Sequence, residues 1–120
     1  MAYVSGFVCA VPIANKQAFI DHAVETAAIF KEHGALRVVD TWGDDVPDGA
    51  LTSFPLAVKA KDNEVVAFSW VEWPSKDACD RCMEAMQDDP RMSPETNPTP
   101  FDGKRLIFGG FAAVFDSNGA

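Results

Sequence analysis

The chain contains four strand-like runs, and most are apolar on both of their faces. No other feature narrows the choice of fold as much. Residues 3–11 put Tyr3, Phe7, Cys9 and Val11 on one side and Val4, Val8 and Ala10 on the other. Residues 64–73 repeat the pattern, with Ser69 and Glu72 as the polar interruptions. A strand with hydrocarbon on both faces is expected to be covered on both.

Only two stretches have helical period. In the first, Phe19, Ala23, Ala27 and Phe30 form a stripe with Ile29 beside it. Asn15 is its expected N-cap, the side-chain oxygen accepting an orphaned amide. The helix should run to about His33, with Gly34 as the left-handed stop. The second helix opens after Pro74, with Ser75 as N-cap and Asp77 in the first turn. Cys79, Cys82, Met83 and Met86 are its stripe, and Pro90 ends it.

Between the helices, residues 35–43 read as a second strand. Leu36, Val38, Asp40 and Trp42 share one face, and Arg37, Val39 and Thr41 the other. An acidic turn with Asp44, Asp45 and Asp48 follows. Residues 54–60 read as a short extra strand or hairpin arm. Residues 91–103, with Pro94, Pro98 and Pro100, form an irregular excursion. Residues 104–115 read as the last strand, where Gly109-Gly110 predicts a bulge or a close backbone approach.

The order is therefore β-α-β-β-α-β, an α+β ferredoxin-like arrangement with an antiparallel four-stranded sheet. Two helices cover one face of such a sheet. The other would expose more than the few hundred Å² usual for a monomer. A homodimer with sheets packed face to face removes the exposure through a self-complementary two-fold interface. At 120 residues the expectation is a single domain over residues 1–120, with 116–120 a frayed tail.

A formal charge of −8 disfavours nucleic acid and anionic membranes as partners. No run approaches the ~20 apolar residues of a membrane helix. The first residues lack the basic region of a signal peptide. Three cysteines, an odd count, fit a reducing cytoplasm better than a secreted disulfide scaffold.

Several stretches carry a family likeness: Phe30-Lys31-Glu32-His33-Gly34-Ala35-Leu36-Arg37, Trp42-Gly43-Asp44-Asp45-Val46-Pro47-Asp48-Gly49, Thr52-Ser53-Phe54-Pro55, Trp73-Pro74-Ser75-Lys76 and Pro100-Phe101-Asp102-Gly103-Lys104-Arg105. Together they resemble the bacterial YbaA-like family, domain of unknown function 1428. The resemblance spans nearly the whole chain. It implies a dimeric α/β barrel and no established catalytic residues. The wider superfamily holds cofactor-independent monooxygenases, haem-handling enzymes and stress-response proteins, so fold does not settle function.

The residues themselves suggest a small-molecule pocket between sheet and helices. His22 lies beside the apolar stripe and could face the pocket as a candidate catalytic residue, while Asp40 is the candidate general base or polar anchor. Asp40 sits among apolar neighbours, where a carboxylate needs a partner. Arg105, on the last strand, is that candidate partner. Trp42, Ser69, Trp70 and Glu72 would complete the lining. The expected function is binding of a small hydrophobic molecule, with cofactor-free oxygenase or isomerase-like chemistry. The alternative is a non-catalytic ligand-binding or dimeric assembly module. No cofactor or metal is called for. His22 and His33 are about 16 Å apart along one helix and cannot share an ion. The acidic turn lacks the distal Glu of a calcium loop and reads as a solvated turn that a hard cation could still use. Cys79 and Cys82 read as core filling.

Overall fold

A computed structural model describes residues 2–119. Its main elements are β1 (Tyr3–Pro12), α1 (Lys16–Glu32), β2 (Arg37–Asp40), α2 (Phe54–Ala57), β3 (Glu64–Trp73), α3 (Lys76–Gln87) and β4 (Ile107–Ala112). The strands form one sheet in the order β2-β3-β1-β4, and every neighbouring pair is antiparallel. This is the expected ferredoxin-like α+β topology.

The register sorts the side chains. Asp40 lies opposite Ser69, Ser69 opposite Phe7, and Phe7 opposite Phe108. With side chains alternating along each strand, these point toward α1 and α3. Val4, Gly6, Val8, Phe68, Trp70, Ile107 and Phe111 point to the other face. On the helix side, Trp73, Val71, Phe30, Ile29, Cys79, Cys82 and Met86 form one buried cluster. Cys9, Val11, Ala67 and Phe19 form a second.

Local chemistry sets the helix ends. The Ser75 hydroxyl accepts from the Ala78 amide at 3.1 Å, the expected N-cap of α3. Gly34 follows α1 with φ of 109°, which a Cβ would oppose. The Gly109-Gly110 pair makes no bulge, since the β1–β4 register is continuous. It permits a close approach instead. A Cβ on Gly110 would overlap the Tyr3 ring.

Four local expectations need correction. Asn15 precedes α1, but its side chain does not cap it. Its Nδ2 donates to the Pro100 carbonyl at 2.9 Å and ties the excursion to the start of the helix. The second strand is shorter than residues 35–43, with only Arg37–Asp40 in the regular ladder. Beyond it, single bonds from the Thr41 and Gly43 amides to Phe68 and Val66 carry the chain along β3. Residues 54–57 are helix rather than strand, because Ser53 caps Leu56 and Pro55 sits in the first turn, where it lacks no needed donor. The last strand spans Ile107–Ala112, not 104–115. Asp102 caps the Lys104 amide, turning residues 103–105 into a 3-10 turn.

The helix-free face is not wholly bare. The segment after α2 lays Val58 and Ala60 over Val8, Ala10 and Val66, and Phe54 meets Phe68 edge-on at 5.9 Å. Beyond that cover the face stays open. Of the expected frayed tail, residues 116–119 are exposed and closed only on themselves, the Gly119 amide donating to the Asp116 carbonyl. Ala120 lies outside the described residues.

Candidate functional site

Among the hollows against the sheet, one on each face stands out by its lining. The larger, about 460 Å³, lies on the helix-free face between Val4, Phe68, Trp70, Ile107 and Phe111. No titratable side chain lines it, so it offers hydrocarbon contact and little chemistry. The smaller, about 240 Å³, lies between α1 and the helix side of the sheet. Polar groups converge there.

The sequence builds this second cavity from three directions. The inner stripe of α1 supplies Phe19, His22, Ala23, Thr26 and Phe30. Positions 19, 22, 26 and 30, like 19, 23, 26 and 30, are three or four apart and therefore share a face. The sheet supplies Phe7, Val38, Asp40, Ser69 and Val71. The excursion after α3 closes the end with Met92, Phe101 and Leu106. The walls are mostly aromatic and aliphatic, with a few polar groups, as ligand pockets generally are.

His22 is held in place. Its Nδ1 lies 2.9 Å from Oδ1 of Asn97, and the Phe101 ring meets it edge-on at 6.2 Å. In the tautomer protonated at Nδ1 the ring donates to this carbonyl oxygen, and the Nε2 lone pair is left as an acceptor. Asn97 is only 5% exposed, and its Nδ2 has no hydrogen-bond partner. The Thr26 hydroxyl is spent on the His22 carbonyl. Ser69 is 8% exposed, and neither it nor Asp40 has a side-chain hydrogen-bond partner among the described residues. Burial pushes the Cys9 thiol up to about 12, and the Asp40 charge adds to the effect. Cys9 is thus a packed thiol beneath the site, not a nucleophile.

Of the residues singled out in the sequence, the cavity gathers His22, Asp40 and Ser69. Trp70 borders it, but its indole points to the other face, donating to Glu72 at 3.0 Å and tilting against Phe68 at 5.9 Å. Glu72 is on that face too, 3.7 Å from Arg37. Trp42 lies outside the cavity lining, against Phe19 at 5.8 Å with Lys16 over its ring. Arg105 departs furthest. It sits on the 3-10 turn, not on a strand, and does not meet Asp40. Its guanidinium forks onto Glu64 with both contacts at 2.7 Å, and reaches Asp102 and the Lys59 carbonyl. Its side chain is 16% exposed and that of Glu64 only 4%. The Arg105 hydrogen bonds hold the Glu64 carboxyl down to about 2, the mark of a structural pair closing the 59–64 corner. Lys59 there adopts φ of 51°, a left-handed value rare for lysine, as it ends α2.

Thr26 and Phe101 line the cavity and Asn97 holds His22, although none of the three was singled out in the sequence. Thr26 was open to discovery, since it completes the 19, 22, 23, 26, 30 helix face. Asn97 was not, because its contact with His22 spans 75 residues from an aperiodic, proline-rich stretch. Cys79 and Cys82 are buried, Cys82 against Met86 and Cys79 against Ser5, consistent with core filling. Asp44, Asp45 and Asp48 are exposed. Among the described residues no three His, Cys, Asp or Glu are grouped to hold a metal ion. Among the same residues no helix is long and apolar enough to cross a membrane.

Topology and register define a ferredoxin-like α+β protein. A solved structure described as a dimeric ferredoxin-like protein from an uncultured marine organism superimposes with a TM-score of 0.63 at 14% identity, covering 96% of this chain and 97% of that one. At that identity the likeness concerns the fold. The sequence comparison goes further. A family model described as protein of unknown function (DUF1428) matches residues 2–103. The Escherichia coli K12 protein described as uncharacterized protein YbaA is 52% identical over 116 residues, 97% of this chain and 99% of its own length. A Shigella flexneri relative with the same description matches equally. The chain belongs to the DUF1428 family.

Proposed function

We propose that the protein is a homodimeric binder of a small, largely apolar molecule, one per subunit, held between α1 and the sheet. The observation that carries this is the convergence of a positioned imidazole, a free hydroxyl and a free carboxylate on an otherwise hydrocarbon cavity. Core packing alone gives no reason to leave Ser69 unbonded or to orient His22 through a buried amide. The cavity lies below the ~300–1,000 Å³ range of drug-sized sites, which restricts the ligand to about one ring.

Binding is favoured over catalysis. His22 can accept a proton, as an isomerase-like base would. Proton abstraction beside a carbonyl also needs a donor or cation aimed at the developing oxyanion. No Lys or Arg lines the cavity, and the Thr26 hydroxyl is already engaged.

The homodimer rests on the second face. Phe68, Ile107 and Phe111 stay substantially exposed beside one another. A second copy covering this face would bury them by two-fold pairing of like surfaces. The dimeric state of the solved ferredoxin-like relative fits this arrangement.

The pocket is tested by filling it. Ala23 lines the cavity from α1 and is half-buried, so Ala23→Leu adds volume with little cost to the helix. Titration with benzyl alcohol, followed by amide NMR, is expected to shift Thr26, Ser69 and Val71 in the parent protein. The same titration should leave them still in the variant. Equal shifts in both proteins would place the alcohol elsewhere and sink the pocket.

A further inference from the structure

The polar groups left free in the cavity also constrain the charge of its occupant. This step rests on the pocket reading above. Asp40 and Ser69 are register partners on β2 and β3, side by side on the helix face of the sheet. Both are without a side-chain hydrogen-bond partner among the described residues. Asp40 is exposed, at the edge strand, whereas Ser69 is buried. The carboxylate therefore stands at the mouth and the hydroxyl further in. Behind them the walls are the Phe7, Phe19, Phe30 and Phe101 side chains. His22 presents a nitrogen lone pair once Nδ1 is committed to Asn97.

Two acceptors, one adaptable hydroxyl and no Lys or Arg in the lining form a poor site for an anion. A ligand carboxylate or phosphate would face Asp40 with no compensating charge in the cavity's own lining, Lys16 standing in the adjoining hollow over Trp42. The chain as a whole carries −8, which repels anions and steers cations. Aromatic faces beside a carboxylate are the usual surroundings of an organic cation, the ring quadrupoles adding to the ion pair. We infer that the cavity takes a small organic amine: an apolar, ring-sized body against the phenylalanines, and an ammonium at the mouth donating to Asp40, with Ser69 within the same polar end. Nothing covalent is required of the protein. The ammonium's protons are shared with acceptors already in place.

Three isosteric probes decide the matter on the intact protein: benzylamine, benzyl alcohol and benzoate, each titrated by amide NMR and calorimetry. Benzylamine should bind about tenfold tighter than benzyl alcohol, the scale of one charge-assisted contact. Benzoate should bind weakest. In Asp40→Asn the amine should lose its advantage while the alcohol binds as before. Equal affinity for amine and alcohol, or a preference for benzoate, would overturn the cation assignment and leave the pocket standing. Failure of all three probes to shift the α1 and β3 amides would overturn the pocket and the assignment together.

Discussion

Phe111→Glu should turn the proposed dimer into a monomer. Phe111 is 61% exposed, and its ring lies across the Gly6–Gly109 pair, where a Cβ on either glycine would come within 3.5 Å of it. The two glycines leave a shallow floor, and the ring fills it, placing the aromatic surface beside Phe68 and Trp70. In a two-fold interface every substitution counts twice. A carboxylate there must be desolvated against hydrocarbon with no cation to meet it, since no Lys or Arg lines that hollow. A central aromatic contact is commonly worth about 2 kcal/mol or more. Two copies then raise the dissociation constant by about three orders of magnitude, at 1.4 kcal/mol per tenfold. Sedimentation equilibrium at micromolar concentration measures this. Because Phe111 is exposed in the subunit, the far-ultraviolet circular dichroism should change little. A variant that stays dimeric would mean the subunits do not meet through this face.

The second large effect concerns stability. Trp73 has no exposed surface and closes β3 just before α3. Its ring packs edge-on against Phe30 at 5.9 Å, and its Nε1 donates to Ser5 Oγ at 3.0 Å. Ser5 in turn contacts the Cys79 sulfur at 3.4 Å. One side chain thus joins α1, the sheet and α3. Trp73→Ala should cost about 3–5 kcal/mol, the range for emptying a large aromatic site. That is a large part of the ~5–15 kcal/mol that usually holds a protein together. Trp73→Phe keeps most of the ring and loses the indole donor, and should cost clearly less. Urea unfolding at matched protein concentration is the measurement, because association shifts the apparent stability of a dimer. A loss below about 1 kcal/mol for the alanine variant, typical of a surface position, would contradict the central place given to Trp73.

What the sequence revealed and what it hid follow one physical division. Period and capping are local, and they located β3, the Ser75 cap of α3 and the Gly34 stop of α1. His22 was legible because it sits at helical spacing from Phe19 and Phe30. The two-sided apolar strands also anticipated the exposed apolar side chains of the helix-free face. Turn chemistry was local as well but was under-read. Ser53 before Phe54-Pro55 is a helix start, and Asp102 before Gly103 ends any strand that would have held Arg105. With Arg105 bound to Glu64, Asp40 lost its expected partner and became the free charge of the cavity. Contacts that close long loops were not legible at all. Asn97 reaches His22, and Asn15 reaches Pro100, across 75 and 85 residues. No period or cap encodes such pairings.

The two faces of one sheet have different proposed duties. On the proposed reading the helix-free face meets a second copy of the chain, and the helix face holds a small amine in each subunit. Native mass spectrometry of the protein with benzylamine tests both halves at once. The predicted species is a dimer carrying two amines, and Asp40→Asn should remain a dimer and need about tenfold more amine for the same loading. A monomer, or a dimer holding a single amine between its sheets, would contradict the account.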